Sequence, residues 1–463
     1  MMKLYRLNLL AVAISTLLLS ACGDSETTIV EKDPIQTDPD DGHDHSDGYL
    51  IESAGRLAVS VADSNEVAIY DLDNNQLLQN IAVSFEGGAL SYSAGFRYAT
   101  VTHRGQDQVE FIDGGLWRED HGEHLHDYKQ APALSSYKLM GSRPTHLVKH
   151  DGKLAVFYDG NSETGEVSSV EVLSDTDIAN QTQSLPAFSY SVNMHGVAEP
   201  NGEYVFASIR RDDALSTSAN KILPDQVGVF HLHDDEYELD HTFVESCPDL
   251  HGAAQNEEVQ VFGCSDGVLV TQKDGSEFTS AKIANIDSLD GLRVGTIYGH
   301  EHLHSFIGVA SQHGGGEALL VQINPEENEM DDIDWQPLTD AHPVSYAFSA
   351  DAEHFLILDN LGYLTILSAE EHDGHKHWAF DRRVDISQQD VADMPDNHSF
   401  SMTVAQNGHF VYIADPIARH VLKLDLESDA TSEFELNVLP KAITWLGIAE
   451  HEDDHADEHD HDH

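Results

Sequence analysis

"PTHLVKHDGKLAVFYDG", residues 144–160, decides the fold. An apolar run follows a histidine, Asp151-Gly152 turns the chain, a second apolar run returns, and Asp159-Gly160 ends it. Asp-Gly between two apolar runs is hairpin chemistry, because glycine accepts the positive φ that a tight turn imposes. The same unit recurs with other letters in "ALSYSAGFRYATVTH" (89–103), "MHGVAEPNGEYVFASI" (194–209) and "LHGAAQNEEVQVFGCSDG" (250–267). It recurs again in "PVSYAFSADAEHFLILDN" (343–360) and "FSMTVAQNGHFVYIADP" (400–416).

Short strands bounded by Gly, Asp and Asn, repeating at a spacing of about 40 to 57 residues, predict an all-β fold, a β-propeller of four-stranded blades. Complete units start near Gly88, Pro144, His195, Leu250, Arg293, Pro343 and Phe400. Two pieces remain: three strands over 56–85 and the lone strand "KAITWLGIA" (441–449). Paired, they form one composite blade that closes the ring between the chain's ends and makes eight blades. Seven is the alternative, because the unit over 292–338 is the least regular. Closure removes the sheet edges that an open array would expose.

The ends read differently. Residues 1–21 form a signal peptide, with Lys3 and Arg6 before an apolar run too short to span a membrane. Leu19-Ser20-Ala21-Cys22 resembles a lipobox, which makes Cys22 the lipidated first residue of the mature protein. Gly23 at the next position favours the outer membrane over the inner. Residues 22–48 are acidic, polar and proline-containing, a tether without apolar surface to bury. The propeller spans 49–450, and the acidic, histidine-rich tail 451–463 follows.

A formal net charge of −58 argues against nucleic acid and anionic membrane surfaces as partners and favours cations. With Cys22 lipidated, Cys247 and Cys264 remain as an even pair in an oxidising compartment. They flank a hairpin turning near Asn256-Glu257, which suggests a cross-strand disulfide; free thiols and zinc thiolates are the alternatives.

Thirty histidines are the unusual number. His146, His195 and His251 stand at the start of the first strand in three successive blades, and equivalent positions on adjacent blades converge toward the axis. His342 and His398 occupy the same entry in later blades. "DHGEHLHDY" (120–128) puts His121, His124 and His126 beside Asp120, Glu123 and Asp127. No apolar period runs through it, so it reads as a loop between the third and fourth strands of its blade. Zinc takes neutral imidazole nitrogens completed by carboxylate or water, with acids available as outer partners. Strict winding sets this loop on the face opposite the trio of entry histidines, so two sites are expected unless the loop wraps around. His300, His302 and His304 in "GHEHLHS" form a further candidate, and His43 and His45 in the tether form a mobile pair. No Gly-x-Ser-x-Gly elbow, Walker loop or dinucleotide fingerprint is present in a fitting context. Aspartates such as Asp159, Asp266 and Asp359, which follow second strands, are the turn chemistry expected there.

"DGGLWREDHGEHLHDY", "RPTHLV", "LAVFYDG", "HGVA", "CPDLHG" and "FGCSDGVLV" together resemble the periplasmic zinc metallochaperones of the AztD type, over residues 50 to 449. The resemblance implies zinc binding and direct handover to the periplasmic solute-binding protein of a zinc ABC importer, without turnover. It implies a ligand role for histidines in the matched motifs, His121, His124, His126, His146, His195 and His251, and more loosely for His43 and His45. The lipobox departs from that pattern, since it tethers a protein otherwise expected to diffuse; with it, the chain reads as a lipid-anchored periplasmic monomer that carries Zn2+. Two other readings stay open: a metal-dependent propeller hydrolase or lyase, and a lipid-anchored interaction propeller without a tight metal site.

Overall fold

The computed structural model describes residues 50–120, 124–210, 222–312, 318–372 and 375–450. Among them are eight four-stranded antiparallel blades. Blade 1 is composite: its innermost strand Pro440–Leu446 comes from the end of the chain, followed outward by Arg56–Val61, Glu66–Asp71 and Gln76–Ala82. Blades 2 to 8 begin with the inner strands Ala89–Tyr92, Pro144–His150, Ala198–Asn201, Ala253–Gln255, Arg293–Tyr298, Pro343–Phe348 and Ser401–Val404. Blades 3 and 4 are joined into one sheet by a single parallel pairing of Ala187 with Glu236. The irregular stretch over 292–338 is a complete blade 6, so the ring has eight blades rather than seven. His195, Leu250 and Phe400, expected to open strands, stand one to three residues ahead of them, in the connections that enter blades 4, 5 and 8.

Second strands read as continuous apolar runs because both of their faces are covered. Arg56–Val61 alternates sides: Leu57 and Val59 pack with blade 8, and Ala58 packs with blade 2. Each of the eight interfaces between neighbouring blades carries its own buried cluster. This is the physical source of the repeat: a blade cannot cover its own two faces, so each supplies half of two cores.

Ring closure is direct. Leu57 pairs with Trp445 and Val59 with Ile443. Trp445 is 1% exposed, packs among Leu57, Tyr70 and Tyr412, and donates its indole N–H to the Ala54 carbonyl at 3.0 Å. Gly55, at φ 90°, has no room for a Cβ, which would lie 2.4 Å from the Trp445 indole nitrogen.

Two expectations need correction. Cys247 and Cys264 are bonded, but not as a cross-strand pair. Cys247 lies in the connection entering blade 5, and Cys264 ends the strand Val259–Cys264, so the bond ties the entry segment to the blade. The stretch read as a loop is largely a β-hairpin, Leu116–Asp120 paired with Leu125–Lys129. Trp117 stacks on its cross-strand partner Tyr128, and Asp127, 2% exposed, accepts from Arg118 and from the Ile51 backbone. Those cross-strand pairs order the hairpin without a core-facing apolar stripe. Among the described residues no helix is long and apolar enough to cross a membrane. Cys22, His43, His45, His121 and the tail lie outside the described residues.

Replacing both Cys247 and Cys264 with serine removes a crosslink over 17 residues of chain and should cost roughly 3 kcal/mol of stability, read by urea unfolding against oxidised wild type. Trp445→Ala, which empties the closure core, should cost about 3–5 kcal/mol in the same assay.

Candidate metal centre

Strand order fixes which face each histidine occupies. In blade 2 Tyr92, the last residue of the inner strand, pairs with Ala99, and Tyr98 pairs with Asp113. Asp113 therefore sits at the exit end of the inner strand, and the hairpin that follows it lies on the exit face. His146, His195 and His251 lie at the entry end, on the opposite face. The two groups are separate, as strict winding predicts.

His146, His195 and His251 are half-buried and offer nitrogens that all lie within 4.8 Å of one another. Their rings stand 4.9 Å (His146–His195), 5.0 Å (His195–His251) and 5.8 Å (His146–His251) apart. His146 Nε2 and His195 Nε2 are separated by 3.2 Å. Two nitrogens on one tetrahedral zinc stand about 3.3 Å apart when each Zn–N bond is about 2.0–2.1 Å. The trio is thus close to ligand spacing.

Two of the rings are held from behind. His251 Nδ1 lies 2.8 Å from the Gly295 carbonyl, which can only accept, so that nitrogen carries the proton and Nε2 keeps its lone pair. His195 Nδ1 lies 3.1 Å from Asp159 Oδ2, which leaves Nε2 directed at His146. Carboxylate and carbonyl partners of this kind orient imidazole ligands. The glycine after His251 is required: Gly252 has φ 75°, and a Cβ there would lie 2.5 Å from the same Gly295 carbonyl.

The electrostatics suit a cation. Burial, together with the neighbouring His195 and His251, pushes the His146 imidazole down to about 4, so it stays neutral near pH 7. Burial works against ionisation of Asp159, but hydrogen bonding to His195 and Arg104 holds its carboxyl below the ordinary value. The arrangement can hold a divalent cation with three neutral nitrogens and leaves one tetrahedral position for water or an incoming ligand.

The remaining candidates are placed elsewhere. His124 and His126 stand on the exit-face hairpin with rings 5.7 Å apart, and His126 pairs across the strands with Glu119. His300, His302 and His304 fall in the turn after the inner strand of blade 6, also on the exit face. His304 gathers Glu258 and Glu326 into a second group, all three of them exposed. His342 and His398 precede the inner strands of blades 7 and 8 and fall outside the trio. Asp359 keeps the turn role expected of it, accepting from Leu361 and Tyr363. Asp159 does not. Its part in the site was hidden by its place one residue past a second strand, where aspartate usually closes a turn. The Gly295 carbonyl had no sequence signal at all.

No family model matches the chain. Zinc chaperone AztD of Citrobacter koseri is 25% identical over 379 residues, covering 76% of this chain and 79% of that protein. The structure of apo AztD from the same organism superposes with a TM-score of 0.67 at 22% identity, over 84% of this chain and 96% of that one. The structure of dihydro-heme d1 dehydrogenase NirN gives a TM-score of 0.52 at 11% identity, over 85% of this chain and 76% of that one.

Because the folded value of His146 is depressed below the unfolded one near 6.5, its contribution to stability is intact above that pH. It is lost as pH falls from there toward 4. NMR titration of the metal-free protein should place the His146 midpoint about 4; a midpoint near 6.5 would show a hydrated ring. The resemblance carried by the motifs is therefore borne out along the chain: it is similar in sequence to zinc chaperone AztD, and it has the AztD propeller fold.

Proposed function

We propose that this protein is a zinc carrier of the AztD type, anchored in the periplasm through Cys22, that binds Zn2+ as cargo at His146, His195 and His251 and passes it to the solute-binding protein of a zinc ABC importer. The observation that carries the reading is the convergence of three histidine nitrogens within 4.8 Å at one mouth of a propeller similar to a zinc chaperone. Chemistry supports it. Neutral imidazoles hold zinc less tenaciously than thiolates, and three of them leave a position open to an incoming ligand. Cargo can then leave by stepwise exchange, each departing histidine replaced by a partner's side chain, without free zinc forming. A carrier of this kind needs no turnover, and a −58 charge draws cations toward it. His43, His45 and the tail histidines add ligands for early capture, and His121, His124 and His126 form a separate site.

Competition titration of mature, tag-free protein tests this. Single alanine variants of His146, His195 and His251 should each lose at least about 100-fold in zinc affinity, beyond the 10–100-fold typical of an outer partner. His124→Ala/His126→Ala should leave the tight site intact. Zinc should reach an apo solute-binding protein faster than it reaches a chelator. Transfer no faster than passive release would leave zinc binding standing and remove the handover.

A further inference from the structure

Asp159 follows the second strand of blade 3 directly, close to where aspartates end the second strands of other blades. In blade 7 Asp359 Oδ1 accepts the Leu361 and Tyr363 amides of its own turn. In blade 8 Asp415 Oδ1 accepts those of Ile417 and Ala418. Asp159 serves no such turn. Its Oδ2 faces His195 Nδ1 of blade 4 at 3.1 Å and accepts from the Arg104 guanidinium of blade 2 at 2.8 Å. Its Oδ1 is buried with no hydrogen-bond partner among the described residues, as is Oδ2 of Asp359, so what separates the two aspartates is where the bonded oxygen points. Arg104 is braced by a second bond from Nε to Thr145 Oγ1 at 3.0 Å, and Thr145 directly precedes His146. The Asp159 side chain is 8% exposed and that of Arg104 is 50% exposed.

We infer that Asp159 and Arg104 are opposed positioning residues for the histidine trio: the carboxylate fixes and strengthens His195 as a ligand, and the guanidinium on the same oxygen weakens it. The inference rests on the zinc reading of the trio. A carboxylate behind an imidazole makes it a better donor and locks which nitrogen carries the proton. A cation sharing that oxygen draws off part of its charge and stands as a fixed positive charge beside an incoming dication. The pair thereby sets affinity at an intermediate value, firm enough to hold cargo and loose enough to surrender it. Neither residue touches the metal position, so the ligand set is unchanged when either is altered.

The two arms predict opposite signs. Asp159→Asn keeps an acceptor but loses the charge, and should lower zinc affinity by about 10-fold; Asp159→Ala should lower it further, toward about 100-fold. Arg104→Gln should raise affinity by about 3- to 10-fold, and the gain should shrink as salt is added, because Arg104 is half exposed. In metal-free protein, imidazole 15N shifts should show His195 protonated at Nδ1 in wild type and Asp159→Asn, and lose that preference in Asp159→Ala. If Arg104→Gln leaves affinity unchanged or lowers it together with Asp159→Asn, the pair is structural and the inference falls. Wild type that binds no zinc through the trio would overturn the zinc reading; the 15N shifts would then still decide whether Asp159 sets the His195 tautomer. Arg104→Gln alone suffices if the Asp159 variants do not fold.

Discussion

The pairing of Pro440–Leu446 with Arg56–Val61 is the constraint on which the rest of the molecule depends. Each blade buries two faces, and neither can be satisfied without a neighbour. In an open array the first and last blades would each leave an apolar face and a sheet edge in water. Closing the ring with a strand from the other end of the chain removes both at once. It also forces the inner strands into a circle, and a circle has a centre.

That centre makes the site. His146, His195 and His251 are 49 and then 56 residues apart in sequence, too far for any local turn to join them. They meet because each stands near the entry end of its blade's inner strand and successive blades are rotated about a common axis. Proximity alone would leave three mobile rings. The Gly295 carbonyl and the Asp159 carboxylate hold two of them with Nε2 directed into the trio. Gly252 is glycine because the backbone of blade 6 passes against it. The fold supplies convergence, and the second layer of residues supplies orientation.

The exit face presents a contrast. It also gathers histidines and acids, His124 and His126 on the hairpin and His304 with Glu258 and Glu326, but these lie on turns and projections rather than on inner-strand entries. In a chain this acidic, exposed histidines beside carboxylates are common by composition. What distinguishes the trio is partial burial, which keeps His146 neutral and replaces solvent with fixed partners.

Much of this was legible in the residues. The recurring apolar runs and their turn residues determined a propeller, and the unpaired first and last strands determined that the ring closes on a composite blade. The register of the repeats put His146, His195 and His251 at equivalent entries together with His342 and His398, because a repeating unit copies position as well as pattern. Which of the five converge was not legible. The hairpin at 116–129 was not legible, since a Trp117–Tyr128 stack and a buried Asp127 order it instead of an apolar period. Nor was the disulfide's geometry, because Cys247 lies on a connection whose path depends on the neighbouring blade. Asp159 looks like every other turn aspartate in one dimension. Only the tertiary structure decided that its carboxylate reaches His195, because that contact runs between blades, where distance along the chain carries no information.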